Sequence, residues 1–374
     1  MPAKILFCEA GVLGGSVNRL TKLLTRLNNS RFQPSILTYY NSGKAKELHG
    51  PQSGFHAKTL GVKDIPAPDV LGHFGPLPCP SRFGIRYLIE SLRMLIASRP
   101  DLVYLNNTPY CHLPMILAAS FLKVPIVCHL RDTITFTRAE QHVLGWISKF
   151  VVLSLAHKDF YRAQGIPGEK IVCIYNGIDP EEFDRLSCEP AGYSLEDAPT
   201  IAFTAVMSSR KRWADAVKVL RLLVDEMPDV KMLFLGDGPD REALEAMIHR
   251  ERLQQNAILT GTVSNVAPCL PACKAGLMLS EREGMPNVIL EYMAAALPVI
   301  ATNLPGISEM VQDGITGHLV PLGQPESVSK LLKALLEAEQ ERTRMGNAGR
   351  ALLESRFSLR SEVECIERLL ADVI

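Results

Sequence analysis

The sequence predicts an α/β protein of two doubly wound domains that face each other across a ligand cleft. Three observations carry that prediction. The chain has 374 residues, 47% of them hydrophobic. Short apolar runs alternate with amphipathic stretches in two successive rounds. A segment punctuated by Pro and Gly separates the rounds. A chain of this length exceeds what one hydrophobic core organises and suits about two domains.

In the first round, residues 4–9, 35–40, 102–105, 126–130, 150–154 and 172–175 read as buried strands, with amphipathic helices at 16–27 and 85–97. Apolar strands spaced by helices imply a parallel sheet covered on both faces. Residues 42–82 are the irregular part. The first domain is expected over residues 1–180. From 180 to 199 the chain is acidic and broken by Pro and Gly, as a linker would be. In the second round, strands are expected at 201–206, 231–235, 258–260, 276–279 and 299–301, and helices at 213–226, 241–250 and 288–295. This second domain is expected over 199–357. The tail from 326 reads as helical, interrupted near 346–349.

Composition narrows the partners. Charged residues are 21%, and Lys+Arg equals Asp+Glu at 40 each. Nucleic acid as the main partner calls for a basic excess, so none is expected. Met1-Pro2-Ala3-Lys4 leads straight into Ile5-Leu6-Phe7, without a signal-peptide pattern. No long uncharged apolar run suits a membrane span. Of nine cysteines, Cys8, Cys128 and Cys173 sit in apolar strand-like runs. Cys269 and Cys273 form a lone close pair that cannot complete a zinc site. A reducing, cytoplasmic setting is expected.

The strongest chemical signal is Glu283-Gly284-Met285-Pro286-Asn287-Val288-Ile289-Leu290-Glu291, which follows a strand and opens a helix. Pro286 suits the first helical turn, where a missing N–H costs nothing. The N–H groups of Asn287 and its neighbours would face an anion, aided by the helix dipole. Taken alone, Glu283 and Glu291 read equally well as a solvated loop residue and a surface helix residue. In the first domain, Gly11-Val12-Leu13-Gly14-Gly15-Ser16 follows strand one. It lacks G-x-G-x-x-G spacing, and strand two ends in Tyr39-Tyr40-Asn41 without the acid that holds an NAD ribose. A dehydrogenase is therefore disfavoured.

The two glutamates do not stand alone. They are followed by 292–302, then Pro305-Gly306, Glu309 and Gly314-Ile315-Thr316-Gly317. Upstream lie Phe234-Leu235-Gly236-Asp237-Gly238-Pro239, Gly261 and Asn176-Gly177-Ile178-Asp179, and downstream Phe357-Ser358. Together these resemble the retaining glycosyltransferases of the GT-B fold, the group 1, family 4-like set, whose hallmark is E-x(7)-E. The resemblance is dense over 171–357 and thin before it.

The resemblance implies two Rossmann-like domains, with a final helix, 358–374, that packs back on the first. It implies transfer of a hexose-type sugar from a nucleotide diphosphate sugar, with retention of anomeric configuration. The acceptor is left open among a glycan, a lipid-linked glycan and a small molecule. No metal or other cofactor is implied. Glu283 would contact the transferred sugar and Glu291 the ribose hydroxyls. Gly284, Met285, Pro286, Asn287 and Val288 would meet sugar and diphosphate, and Gly236 would lie beside the base. Lys211 matches the family lysine that stabilises the leaving diphosphate. The partnering arginine falls on Val206 here, so Arg210 or Arg212 would supply that charge. Ala296 stands where the family has Gly. Gly14 and Gly15 match a paired glycine that lets donor and acceptor approach. Arg131 occupies a place where the family often has His, with His129 two residues earlier and Asp132 beside it. These three are assigned to the acceptor or sugar side, with a buried structural histidine and an Arg131–Asp132 pair as the plainer alternatives. The stretch 44–73, with Phe55 and Phe74, reads either as an ordinary loop or as peripheral membrane contact. Two rival functions stay open: an epimerase or phosphorylase on the same fold, and a non-catalytic nucleotide-binding protein.

Overall fold

A computed structural model describes residues 1–9, 15–38, 80–190 and 198–374. Gly14 and the stretch 44–73, with Phe55 and Phe74, lie outside the described residues. The chain forms two compact units, residues 1–174 with 363–374, and residues 175–362.

In unit 1, strands β1 (Ala3–Glu9), β2 (Phe32–Thr38), β3 (Leu102–Asn106), β4 (Ile126–His129), β5 (Lys149–Val152) and β6 (Ile171–Cys173) form one sheet in the order β2-β1-β3-β4-β5-β6. Neighbouring strands run parallel. Ile5, Leu6, Phe7 and Cys8 are all fully buried, which a strand requires when both faces of its sheet are covered. The described helices here are α1 (Gly15–Arg26), α2 (Pro80–Ser98), α3 (Leu113–Phe121), α4 (Arg138–Leu144) and α5 (Leu155–Ala163). α4 starts at a capping box, in which the Thr137 hydroxyl accepts from the Glu140 N–H and the Glu140 carboxylate accepts from the Thr137 N–H.

Unit 2 repeats the plan. Strands β7 (Thr200–Thr204), β8 (Lys231–Leu235), β9 (Ala257–Gly261), β10 (Ala275–Met278), β11 (Val299–Thr302) and β12 (Gly317–Val320) order as β12-β11-β10-β7-β8-β9. Its helices are α6 (Pro180–Ser187), α7 (Trp213–Glu226), α8 (Arg241–Arg250), α9 (Asn287–Ala294), α10 (Pro325–Glu337), α11 (Glu339–Arg356) and the start of α12 (Leu359–Val373). Ile201, Phe203, Phe234, Leu277 and Ile300 fill its core. Among the described residues no helix is long and apolar enough to cross a membrane.

The structure corrects the sequence reading at four places. The expected linker opens with a helix, α6, because Asp179 caps it by accepting from the Glu182 N–H at 3.1 Å, with Pro180 in the first turn. The tail is interrupted at Ala338 and again at 357–358, and not at 346–349. α11 runs through Gly346, where a β-carbon would overlap the Ala296 carbonyl. Pro286 is the residue before the first turn of α9, extended at φ −71° and ψ 123°. β12 was not expected at all, and its register against β11 extends the sheet by a strand.

Candidate active site

Each sheet reverses its winding once, and ligands of open α/β sheets collect outside the strand C-termini at that point. In unit 2 the reversal falls between β7 and β10. The loop after β7 passes through a short turn, Ser209–Lys211, into α7. The loop after β10 leads into α9. These loops carry Lys211 and Glu283, and they are fastened to one another at several points.

Lys211 and Glu283 form an ion pair, with side chains 18% and 10% exposed. One residue on, Arg212 reaches Glu281 at 3.0 Å through Nη1 and Asp215 at 2.6 Å through Nε. The Glu281 N–H donates to the Arg210 carbonyl at 3.0 Å. Arg212 pays a backbone cost for this position. Its φ is 54°, a left-handed conformation that disfavours any side chain with a β-carbon. That conformation turns the chain from the short turn into α7, and the two carboxylates hold the guanidinium once it is there.

The N-terminus of α9 completes the group. Pro286 offers no side-chain cap, and the first N–H groups of any helix lack an intrahelical acceptor. Gly284, Met285 and Pro286 are buried, whereas Asn287, Val288 and Glu291 are partly exposed. Asn176 braces the loop. Its side-chain amide donates to the Met285 carbonyl at 3.2 Å and to Asn287 Oδ1 at 3.3 Å. Tyr292 fixes the helix to the sheet, its hydroxyl lying 2.8 Å from the Thr204 N–H and 3.2 Å from the Ala202 carbonyl. Ser280, two residues beyond β10, is buried, its hydroxyl without a partner among the described residues.

Gly236 has a structural reason of its own. Its φ is 131°, and a β-carbon there would strike the Ala205 carbonyl. The backbone after β7 and that after β8 therefore run in contact, with the Met207 N–H bonded to the Asp237 carbonyl at 2.9 Å. Val206 between them is exposed.

Unit 1 holds a second polar group where β1 and β3 end. Glu9 and Asn106 are register partners, and both are fully buried. The Asn106 amide donates to the Glu9 carboxylate, and the Asn107 amide donates to its other oxygen at 2.8 Å. Arg131 Nε in turn donates to Asn106 Oδ1 at 2.9 Å. Asp132 accepts from the Thr133 N–H at 2.8 Å. His129 ends β4 and is fully buried, with Nδ1 2.7 Å from the Tyr104 hydroxyl and Nε2 without a partner among the described residues. Burial first, then the charges of Arg131 and Arg19, holds its pKa well below the ordinary value, so the ring is neutral. Gly15 is the first residue of α1. Glu9, Asn106, Asn176 and Glu281 were not singled out from the sequence. Asn176 lay in a noted motif, but the others become partners only through sheet order.

The chain belongs to the group 1 glycosyltransferases, and its two units have the GT-B pattern of parallel-sheet Rossmann-like domains. The profile described as "Glycosyl transferases group 1" matches residues 190–352, and that of "Glycosyltransferase Family 4" matches 13–182. Among curated relatives, N-acetyl-alpha-D-glucosaminyl L-malate synthase of Bacillus anthracis is 28% identical over 56% of this chain, a match that spans 55% of that protein. Sulfoquinovosyl transferase of Arabidopsis thaliana is 23% identical over 90% of this chain and 67% of its own length. Alpha-D-kanosaminyltransferase of Streptomyces kanamyceticus is 22% identical over 83% and 87%. Among solved structures, a glycosyltransferase from Rickettsia africae superposes with a TM-score of 0.81 at 18% identity, covering 100% of this chain and 98% of that one. Anabaena Alr3699/HepE in complex with UDP-glucose gives 0.76 at 19%, covering 99% of each.

Proposed function

We propose that the protein transfers a hexose-type sugar from a nucleotide diphosphate sugar to an acceptor hydroxyl, with retention of anomeric configuration. The observation that supports this most is the meeting of Lys211, Glu283 and the amide end of α9 at the β7/β10 reversal. A departing diphosphate gathers negative charge there, and preorganised cations and N–H groups stabilise that charge where it develops. Arg210 serves as the second cation, since the Arg212 charge is shared by Asp215 and Glu281. Glu283 faces the sugar, which becomes positive as the diphosphate leaves. Glu291, farther along α9, holds the ribose.

In this reading the acceptor oxygen bonds to the anomeric carbon as the carbon–phosphate oxygen bond breaks, and the acceptor proton passes to the departing diphosphate. Glu9 is no nucleophile in it, because its carboxylate is buried and takes the amides of Asn106 and Asn107. Arg131 and Asp132, with His129 behind them, belong to the sugar or acceptor side. The eight described cysteines are free thiols, which suits a reducing cytoplasm.

UDP-sugars come first among donors because structures of this fold hold UDP and UDP-glucose. A thermal-shift series with UDP, ADP, GDP and their glucose conjugates tests the reading, since a ligand of the folded state raises the melting temperature. A rise with one base family is expected. No rise with any of them would refute the nucleotide site.

A further inference from the structure

Two ion pairs join the same two loops, and they differ in kind. The Arg212 charge is answered twice, by Asp215 from its own helix and by Glu281 from the facing loop. Lys211 is answered by Glu283 alone among the described carboxylates. A lysine ammonium is a compact charge on a flexible stem, suited to exchanging one anion for another. A diphosphate that Lys211 holds competes with the Glu283 carboxylate for the same ammonium. When the diphosphate leaves, that carboxylate is on hand to return.

We propose that Glu283, besides facing the sugar, is an internal anion that competes with nucleoside diphosphate for Lys211 and so drives its release after transfer. This rests on the reading of these loops as the nucleotide site. No covalent bond changes in the step; one ion pair replaces another. The expected effect runs against a simple contact role, because removing a binding-site carboxylate tightens the product.

Calorimetric titration with UDP tests it on the full chain. Glu283→Gln should bind UDP about fivefold more tightly, the scale of losing one partly exposed ion-pair competitor. In a Lys211→Ala background the same Gln substitution should change affinity less than about twofold. Glu281→Gln removes the same charge from the same loop while Arg212 keeps Asp215, and should leave UDP affinity within about twofold. Glu283→Ala must tighten binding as well, which covers failure of the Gln variant to fold. Unchanged or weaker binding in the Glu283 variants overturns the proposal, and so does equal tightening by Glu281→Gln. If the parent chain binds none of UDP, ADP and GDP, the nucleotide reading itself fails and the proposal falls with it.

Discussion

The hydroxyl of Tyr292 accepts the backbone N–H of Thr204 and donates to the carbonyl of Ala202, so one side chain of α9 is bonded to the strand where unit 2 reverses its winding. Its ring also fills the space that a β-carbon on Gly276 would need. Tyr292→Phe keeps the ring and orphans the partly buried Thr204 N–H. A lost partner of that kind costs about 1–3 kcal/mol. Urea denaturation should show a loss in that range, and a loss below roughly 0.5 kcal/mol would mean the N–H finds another acceptor.

Ala296 and Gly346 make opposite predictions. α9 ends in a Schellman turn, with the Leu297 N–H bonded to the Tyr292 carbonyl at 2.9 Å and the Ala296 N–H to the Met293 carbonyl at 3.1 Å. Ala296 has φ 51° there, where glycine is at ease. Ala296→Gly should raise stability by roughly 0.5–1 kcal/mol. Gly346→Ala would gain about 1 kcal/mol of helix propensity but force a β-carbon into the Ala296 carbonyl. Backbone cannot yield as a flexible side chain does, so overpacking of about 1–3 kcal/mol or more should win. Thermal melts of both variants would show the two signs.

His112 should make stability depend on pH. It is fully buried with Nε2 2.8 Å from the Asn106 carbonyl. Burial lowers its pKa from 6.5 to about 4. The unfolded chain therefore takes up the proton first as pH falls. The stabilisation is complete above 6.5 and is lost as pH drops toward about 4. The loss amounts to roughly 3 kcal/mol at the lower end. Denaturation midpoints of the parent and of His112→Gln, which keeps a donor, should converge as pH falls through that window. Parallel pH curves would refute it.

The catalytic assignments separate by kinetics. Lys211→Ala should cost on the order of 100-fold in turnover, the usual scale for one preorganised charge. In the proposed reading Glu283→Gln should lower kcat, because a carboxylate facing the sugar gains interaction as the sugar becomes positive. Glu291→Gln should mainly raise the donor KM, because ribose does not change charge during transfer. Equal loss of kcat at saturating donor in both glutamate variants would remove that division.

All the described strands but β12 were legible, because a parallel sheet buries both faces and leaves runs such as Ile5-Leu6-Phe7-Cys8 without alternation. The Glu283–Glu291 segment was legible because strand, loop and helix start are contiguous. Other features depend on distant partners. Gly346 looked like a helix break because its reason, the Ala296 carbonyl, lies fifty residues away in sequence and only meets it after folding. Pro180 and its acidic neighbours were read as linker punctuation, although Asp179-Pro180-Glu181-Glu182 also spells a capped helix start. The bonds from Lys211 to Glu283, Arg212 to Glu281 and Glu9 to Asn106 are set by strand order, which local pattern does not encode.

Residues 363–374 belong with residues 1–174, and the Glu367 carboxylate accepts the Asn28 N–H at 2.7 Å. Chains emerge from the ribosome N-terminus first, and domains generally fold in that order. Here the earlier-made unit cannot close on its last helix until the whole of the later one has been translated. Unit 2 is contiguous and can finish first. During synthesis the order of completion is thus reversed relative to the order of emergence, and the nascent first unit waits with its α12 docking surface uncovered.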